Sequence, residues 1–284
     1  DELSGEFTIQ IFAYRPEDFN FEKLFSTIDE KVKSSIEEFG KEGITEEALA
    51  RARGQIEGYA YAELNSVATK NSVISEWERL LGKSSTLSEE LDRYMSVTLN
   101  DIKRVYNKYI NGSGAAILNT YPIIDPKDSV KSVNPYAGRE FPENPEYKGL
   151  TWTPAQSKFD RSKKPEPGPA ATIKVPEIYK TKLSNGLTVA GTKSSETPEV
   201  FMVITMEGGY LALEKDQLKK LGIPELTAGM LNEGTKNFTT EEISAKLEKL
   251  GSRISFSSGR TGNSINISCL KKNLDSTLMI FEEK

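Results

Sequence analysis

The hydrophobic pattern near the start of the chain predicts one strand and then one long helix. Phe7, Ile9 and Ile11 alternate with Thr8 and Gln10, which is the period of a strand with one buried face. The apolar residues that follow recur at i, i+3 and i+4, as on one face of a helix: Phe21, Leu24, Phe25, Ile28, Val32, Ile36 and Phe39. Because a stripe this rich in aromatic residues is typical of a protein interior, we interpret it as core rather than as a ligand site.

Helical periodicity continues through the next forty residues. Thr45 precedes Glu46 and Glu47, which predicts an N-cap with two carboxylates in the first turn of a helix. The inner face of this second helix is predicted to hold Leu49, Ala52, Ile56, Tyr59, Ala60 and Leu64. A third helix, closed by Gly82, is predicted from Val67, Ile74, Trp77, Leu80 and Leu81.

Two residue pairs with the spacing of capping boxes predict the starts of two further helices. They are Thr86 with Glu89 and Thr98 with Asp101. Residues 115–118, Ala-Ala-Ile-Leu, then predict a closing strand. This order of strand, several helices and strand predicts the α+β fold class.

The pattern after residue 177 predicts a second α+β module. Apolar runs at 179–183 and 187–190 flank Ser184-Asn185-Gly186, which marks a tight hairpin with positive φ at the turn. Residues 200–206 are apolar nearly throughout, as in a strand covered on both faces.

A helix, a glycine-marked loop and a second helix are predicted within residues 222–251. The second helix is expected to be capped by Thr239 with Glu242 and closed by Gly251. Apolar residues at 254–256 and 265–269 alternate with Ser and Asn, which predicts two antiparallel strands joined near residues 259–262.

Residues 121–176 differ from both flanking regions. They hold ten of the thirteen prolines and show neither the strand nor the helix period. We therefore predict two mixed α/β domains, 1–120 and 177–284, joined by a long Pro-rich linker, 121–176. Aromatic residues within the linker favour packing of part of it along a domain surface, although an extended tether stays open: Tyr136, Phe141, Tyr147, Trp152 and Phe159.

Composition excludes several classes of function. A hydrophobic content of 37% and a charged content of 28% fit a globular protein. A net charge of -5 argues against a nucleic-acid surface, and the short basic cluster at 158–164 is interpreted as solvated linker. No apolar run approaches the roughly 18 residues of a membrane span. Cys269, the only cysteine, lies in an alternating segment and is predicted to be a buried strand thiol.

The segment 222–251 carries the most informative motif. Its frame is Gly222, then Met230-Leu231, Gly234-Thr235-Lys236-Asn237-Phe238-Thr239, Glu241-Glu242-Ile243 and Leu250-Gly251. This frame resembles the signature region of the pitrilysin, insulinase and mitochondrial processing peptidase family, in which the first helix carries His-x-x-Glu-His. The hairpin at 183–189 resembles the first hairpin of the same family. Residues 4–7, 43–53 and 100–109 resemble the later half of the domain that follows its zinc-binding domain.

The resemblance places the family's first zinc-binding His at Glu225, its catalytic Glu at Ala228 and its second His at Gly229. Zinc chemistry of this kind needs two imidazoles one helical turn apart and a carboxylate that accepts a proton from the bound water. The whole chain contains no His. We therefore expect no metal ligand and no catalytic residue here, and we interpret Glu225 as an ordinary carboxylate in a helix's first turn. Zinc is expected only in an upstream domain of the parent protein.

The resemblance implies antiparallel sheets covered by helices, arranged as two halves that close around an unfolded peptide. We expect the chain to be the non-catalytic portion of a zinc metallopeptidase, forming part of the wall of the peptide chamber and its hinge. The expected partners are an upstream catalytic half or a partner subunit, together with a peptide substrate, but no nucleic acid.

An inactive peptidase-like subunit that binds peptides or stabilises a partner stays open as the alternative. A small-molecule hydrolase is disfavoured because the chain has no His and no Gly-x-Ser-x-Gly motif. The chain starts at Asp1 without the features of a signal peptide, as if cut from within a longer protein. From the resemblance alone, the expected location is a bacterial periplasm.

Overall fold

The structure is a computed structural model, and it combines helices with small antiparallel sheets, which confirms the predicted α+β class. The described residues are 5–13, 20–84, 86–120, 138, 145–151, 153, 160, 162–163, 166, 168–169, 172 and 175–284. The predicted linker, 121–176, lies mostly outside them. The chain forms two compact units, residues 1–117 with 194–284 and residues 118–193. The predicted domain boundaries at 120 and 177 stay a prediction.

The helices of the described residues are α1 (Phe21–Glu42), α2 (Glu46–Ala62), α3 (Val67–Leu81), α4 (Leu87–Ser96), α5 (Leu99–Tyr109), α6 (Ile223–Leu231), α7 (Thr240–Leu250) and α8 (Leu274–Glu283). The strands are β1 (Tyr179–Lys182), β2 (Thr188–Gly191), β3 (Glu199–Glu207), β4 (Arg253–Ser258) and β5 (Gly262–Leu270). The predicted helices at 21–39, 45–64, 67–81 and within 222–251 are therefore confirmed, as are the paired strands at 254–256 and 265–269.

Helix starts follow the predicted capping residues in three cases and depart from them in one. Thr45 accepts a hydrogen bond from the backbone N–H of Ala48, and Thr98 and Asp101 form a complete capping box. The Thr98 hydroxyl and backbone N–H hold the pKa of the Asp101 carboxyl below its usual value. Thr86 precedes α4 but its side chain makes no capping bond, so the capping box predicted for Thr86 and Glu89 is wrong. The Thr86 side chain is buried instead, and Glu89 pairs with Lys83.

The apolar stripe of α1 lies on the predicted face, but it is not core. Each of its seven predicted residues is half-buried, and α1 has no buried residue. Four of the seven, Ile28, Val32, Ile36 and Phe39, line an open groove of about 1050 Å³ together with residues of α5 and with Phe7, Ile9 and Ile11. The apolar face of α1 therefore stays partly open to solvent among the described residues.

Both strands predicted at the ends of the helical region are wrong. Residues 5–13 and 115–118 have no regular secondary structure and belong to no sheet of the described residues. The alternation at the first segment still has a physical cause, since Phe7, Ile9 and Ile11 are the residues of 5–13 that line the groove. A strand requires a hydrogen-bonded neighbour, which a sequence period cannot supply.

Individual apolar positions in α2 and α3 also differ from the prediction. Tyr59 was expected on the inner face of α2 but is 70% exposed, and Val67 at the start of α3 is 84% exposed. Leu80 and Leu81 are exposed as well, whereas Leu49 is buried as predicted. The helical period thus identifies the inner face of each helix, but residues at the edges of that face are exposed to solvent.

The larger sheet has the order β3-β5-β4 and is antiparallel throughout. One face packs under α6, α7 and α8 and holds the buried residues Ile254, Ile267 and Cys269. The other face of β3 is open: Phe201 and Val203 are 63% and 60% exposed. The prediction that residues 200–206 are covered on both faces is therefore wrong, because the described helices pack on one side of the sheet.

The helices α1–α5 meet the sheet and its covering helices where α2 packs against α7. Gly54 of α2 is buried, and a Cβ placed there would overlap the carbonyl oxygens of Glu248 and Lys249. Gly58 lies one turn further along α2 and faces the backbone of Gly251. Two glycines four residues apart let two backbones approach more closely than other side chains would allow.

The smaller unit contains the predicted hairpin. β1 and β2 pair antiparallel, with Lys182 opposite Thr188. Gly186 has a φ of 90°, and the Asn185 side chain accepts a hydrogen bond from the backbone N–H of Leu187. The Asn-Gly signal and its positive φ are confirmed.

Thr98 and Thr86 give a matched test of capping. We expect Thr98→Ala to lower the free energy of unfolding by about 1 kcal/mol, because the cap of α5 is lost. Thr86→Val should leave stability unchanged or raise it, because the buried Thr86 hydroxyl has no hydrogen-bond partner among the described residues. Urea denaturation followed by circular dichroism measures both changes. Equal destabilisation by the two substitutions would contradict the assigned roles.

Candidate functional site

The segment with the signature frame forms a helix, a tight loop and a second helix. Pro224 lies in the first turn of α6, where its missing N–H costs nothing, and Glu225 follows it. The loop closes on Thr235, whose hydroxyl accepts from the backbone N–H of Phe238 while its own N–H donates to the Phe238 carbonyl. This loop connects α6 to α7, and both helices pack against β4 of the larger sheet.

The second helix of this segment has the predicted ends. Thr239 and Glu242 form a complete capping box at the start of α7. Gly251 ends the helix with a φ of 59°, in the left-handed region that favours glycine. Because Gly251 also packs against Gly58 of α2, this residue is constrained both by its conformation and by its neighbour.

The three positions at which the sequence predicts a degraded motif lie on α6, but they do not converge on one site. Glu225 and Gly229 are exposed, and nothing lies within 4 Å of a Cβ placed at Gly229. Ala228 is buried against the sheet side of the helix, with 9% of its surface exposed. The arrangement offers one solvated carboxylate and no second ligand.

These residues do not fit a zinc ion. A catalytic zinc site uses three protein ligands, and Glu225 is the only ligand type among the three positions. Within the part of the chain that the structure describes, no group of three or more His, Cys, Asp or Glu side chains could hold a metal ion. The chemistry of a metal-activated water therefore has no place on this helix.

Asn232, which ends α6, is a residue that sequence reasoning missed. Its side-chain oxygen accepts from the backbone N–H of Phe256 at 2.9 Å, and its amide nitrogen donates to the Phe256 carbonyl at 3.0 Å. The same nitrogen also donates to the carbonyl of Ala228. The Asn232 amide thus occupies the outer edge of β4 as a neighbouring peptide group would. An Asn directly after a helix predicts a C-cap, but nothing local predicts the strand it reaches.

Lys284 satisfies other free carbonyls at the end of α6. Its ammonium group donates to the carbonyls of Leu231 and Glu233, at 3.0 Å and 2.7 Å. Burial lowers the pKa of Lys284, while the nearby Glu233 carboxylate opposes that change. The cation lies at the carbonyl end of the helix, where the helix dipole favours positive charge.

Cys269 is not a candidate nucleophile. It is buried in β5, as predicted, and burial raises the pKa of its thiol although a hydrogen bond with Thr277 opposes the change. A raised pKa keeps the thiol protonated and poorly reactive. Thr277 itself is fully buried and shares a hydrogen bond with Ser252.

The open face of β3 is the other feature of this region that could contact a ligand. Phe201 and Val203 are apolar, whereas the residues paired beside them on β5, Ser268 and Asn266, are polar. Such a face offers apolar contact together with hydrogen-bonding groups. It is the surface of the sheet that the described helices leave free.

Comparison with known proteins finds likeness only among solved structures. No family model matches the chain, and no curated protein matches it. An inactive domain of a peptidase M16 from Pseudomonas fluorescens is 19% identical, with 38% of this chain and 26% of that chain covered and a TM-score of 0.34. A protease from Helicobacter pylori is 22% identical over 38% of this chain and 25% of that one, with a TM-score of 0.34.

A third solved structure covers more of the chain. The periplasmic protease PqqL from Escherichia coli is 11% identical over 89% of this chain and 29% of that one, again with a TM-score of 0.34. The chain spans between 25% and 29% of the length of these three proteins. Likeness at this level leaves family membership a proposal. None of the helices in the described residues is both long enough and apolar enough to cross a membrane.

The role of Asn232 can be tested through the strand edge that it covers. We expect Asn232→Ala to lower the free energy of unfolding by about 1–2 kcal/mol, since two backbone groups of Phe256 lose their partner. Amide hydrogen exchange at Phe256 should become much faster. Asn237→Ala, which removes an exposed bond to Glu283, is the control and should change neither quantity appreciably. Unchanged protection of the Phe256 amide in Asn232→Ala would show that the edge is not sealed by this side chain.

Proposed function

We propose that this chain is a non-catalytic, peptidase-like portion of a zinc metallopeptidase of the pitrilysin, insulinase and mitochondrial processing peptidase family. The observation that carries the proposal is the frame of residues 222–251, whose α6, loop and capped α7 lie over an antiparallel sheet. The two zinc-binding His positions of that frame hold Glu225 and Gly229, and the position of the catalytic Glu holds Ala228. On this proposal, the chain would keep the helical framework of the family's site without its zinc ligands.

The contribution of the chain would be to bind and orient peptide rather than to cleave it. An extended peptide has both apolar side chains and backbone amide groups. The open face of β3 and β5 offers Phe201 and Val203 beside Ser268 and Asn266, which suits both kinds of group. Binding energy from such a wall can position a long substrate without supplying reacting groups.

The remaining parts of the proposal concern the parent protein. Its catalytic half, with the zinc ion, would lie upstream or in a partner subunit. Residues 121–176 would act as a hinge between the domains 1–120 and 177–284. The location would be a bacterial periplasm.

A second candidate is an inactive subunit that binds peptide or stabilises an active partner. The same degraded frame at Glu225, Ala228 and Gly229 favours it equally. The two candidates differ in whether one polypeptide holds both an intact His-x-x-Glu-His and this segment.

Zinc binding and peptide cleavage test the proposal that this chain is non-catalytic. We expect the chain to bind no stoichiometric Zn²⁺ and to cleave no peptide, because both zinc-binding His positions lack an imidazole and the position of the catalytic Glu lacks a carboxylate. The variant Glu225→His with Gly229→His is the control: it places two imidazoles one turn apart on the exposed side of α6 and should bind Zn²⁺ measurably. Metal content after dialysis and isothermal titration report both. Peptide cleavage by the unaltered chain that a chelator blocks would refute the proposal.

Peptide turnover tests the proposal that the open face of β3 binds the peptide substrate. The full-length product of the reading frame should cleave peptides that this segment alone does not. In the full-length product, Phe201→Ser should raise KM about tenfold with little change in kcat, because an apolar contact with substrate is lost. Phe12→Ser, at an exposed phenylalanine outside the sheet, is the control and should leave both constants unchanged.

The outcomes separate the candidates. No turnover by the full-length product would favour the inactive subunit. A fall in kcat with unchanged KM in Phe201→Ser would contradict a binding role for the open face of β3.

A further inference from the structure

We propose that Asn111 is a site of spontaneous covalent modification, at which the side-chain amide is converted to aspartate and isoaspartate. The sequence contains two Asn-Gly pairs, Asn111-Gly112 and Asn185-Gly186. A glycine after asparagine favours this reaction, because its nitrogen can approach the side chain without hindrance from a Cβ. The structure leaves the first pair free to react and restrains the second. The inference concerns the chain's own amides and does not rest on the proposed function.

The reaction joins the Asn111 side chain to the backbone that follows it. The backbone nitrogen of Gly112 attacks the Asn111 Cγ, so that a new N–Cγ bond forms and the bond from Cγ to Nδ2 breaks. Nδ2 leaves as ammonia and takes up the proton that the Gly112 nitrogen loses. Water, the one co-reactant, then opens the cyclic imide at either of its carbonyl carbons. The site therefore needs a backbone N–H and a side-chain amide that are both free to meet.

Both reacting groups are nearly free at Asn111. The residue is exposed and lies in the turn that follows α5. Among the described residues, the N–H of Gly112 donates no hydrogen bond. The Asn111 amide nitrogen donates to the Asn107 side-chain oxygen at 3.4 Å, which is long for a hydrogen bond. One weak bond is thus all that ring closure has to break among the described groups.

Both reacting groups are held at Asn185. The N–H of Gly186 donates to the Leu183 carbonyl at 2.9 Å, within the turn of the β1–β2 hairpin. The Asn185 side-chain oxygen accepts from the N–H of Leu187 at 3.0 Å. Both bonds have to break before the ring can close. Since Asn185 is exposed as Asn111 is, access of water does not distinguish the two sites.

Modification of Asn111 would change the end of α5. The N–H groups of Ile110 and Asn111 both donate to the Tyr106 carbonyl at 2.9 Å, and the Tyr106 hydroxyl donates to the Ile36 carbonyl of α1 at 2.9 Å. Isoaspartate inserts an extra carbon into the backbone of this turn. Either product also places a carboxylate at the carbonyl end of α5, where the helix dipole disfavours negative charge. The modified chain should therefore hold α5 less firmly on α1.

The experiment compares the two sites in the full chain, folded and unfolded in guanidinium chloride, during incubation in alkaline buffer. Lys108 and Lys182 precede the two Asn-Gly pairs, so trypsin releases each pair on its own peptide. Tandem mass spectrometry then follows the mass gain as each amide becomes a carboxyl. We expect folding to slow conversion at Asn185 about tenfold, because two hydrogen bonds have to break, and to slow it at Asn111 by no more than about twofold.

Asn111→Gln is the matched control, because it keeps an amide at this position but requires a larger ring. It should abolish conversion on that peptide and leave the rate at Asn185 unchanged. Labelling with an isoaspartyl methyltransferase should fall in parallel. Equal slowing of the two sites on folding would overturn the proposal, as would the absence of conversion at Asn111 in the folded chain under conditions in which the unfolded chain is converted.

Discussion

The larger unit depends on the close approach of two backbones, at Gly54 and Gly58 of α2 and at the end of α7. This contact is where the helical segment meets the sheet and its covering helices. Ion pairs such as the one between Arg51 and Glu248 set its register, but these side chains are partly exposed and contribute modestly on their own. The shape of the α2 surface at Gly54 and Gly58 is therefore the main constraint on this contact. The surrounding charges favour the surface at the end of α7 as its partner.

Features specified by neighbouring residues could be predicted from the sequence. The cap at Thr98, the hairpin at Asn185-Gly186 and the helix end at Gly251 each depend on groups within a few residues. Features that need a distant partner could not. Residues 5–13 have the strand period but no strand beside them among the described residues, and Thr86 is buried by packing instead of capping its helix. Likewise, the apolar run at 200–206 indicates the strand but not the side on which helices lie.

The candidate site shows the same division. The sequence identifies Glu225, Ala228 and Gly229 as positions without a set of zinc ligands, and the structure places them on α6 with Ala228 alone buried. The sequence does not identify Asn232, whose bonds to Phe256 cross a span of 24 residues. The helix α6 thus has a structural role, since its C-cap residue Asn232 bonds the backbone of Phe256 at the edge of β4.

The bonds that Asn232 makes to Phe256 at the edge of β4 also make the two edges of the larger sheet unequal as places where a further strand could pair. Because Asn232 already bonds both backbone groups of Phe256, an added strand would pair more readily along β3, whose one described neighbour is β5. Glutamates lie at both termini of β3, Glu199 and Glu207. Their charge would repel an acidic strand and attract a basic one, so the composition of any segment that extends this sheet is already restricted.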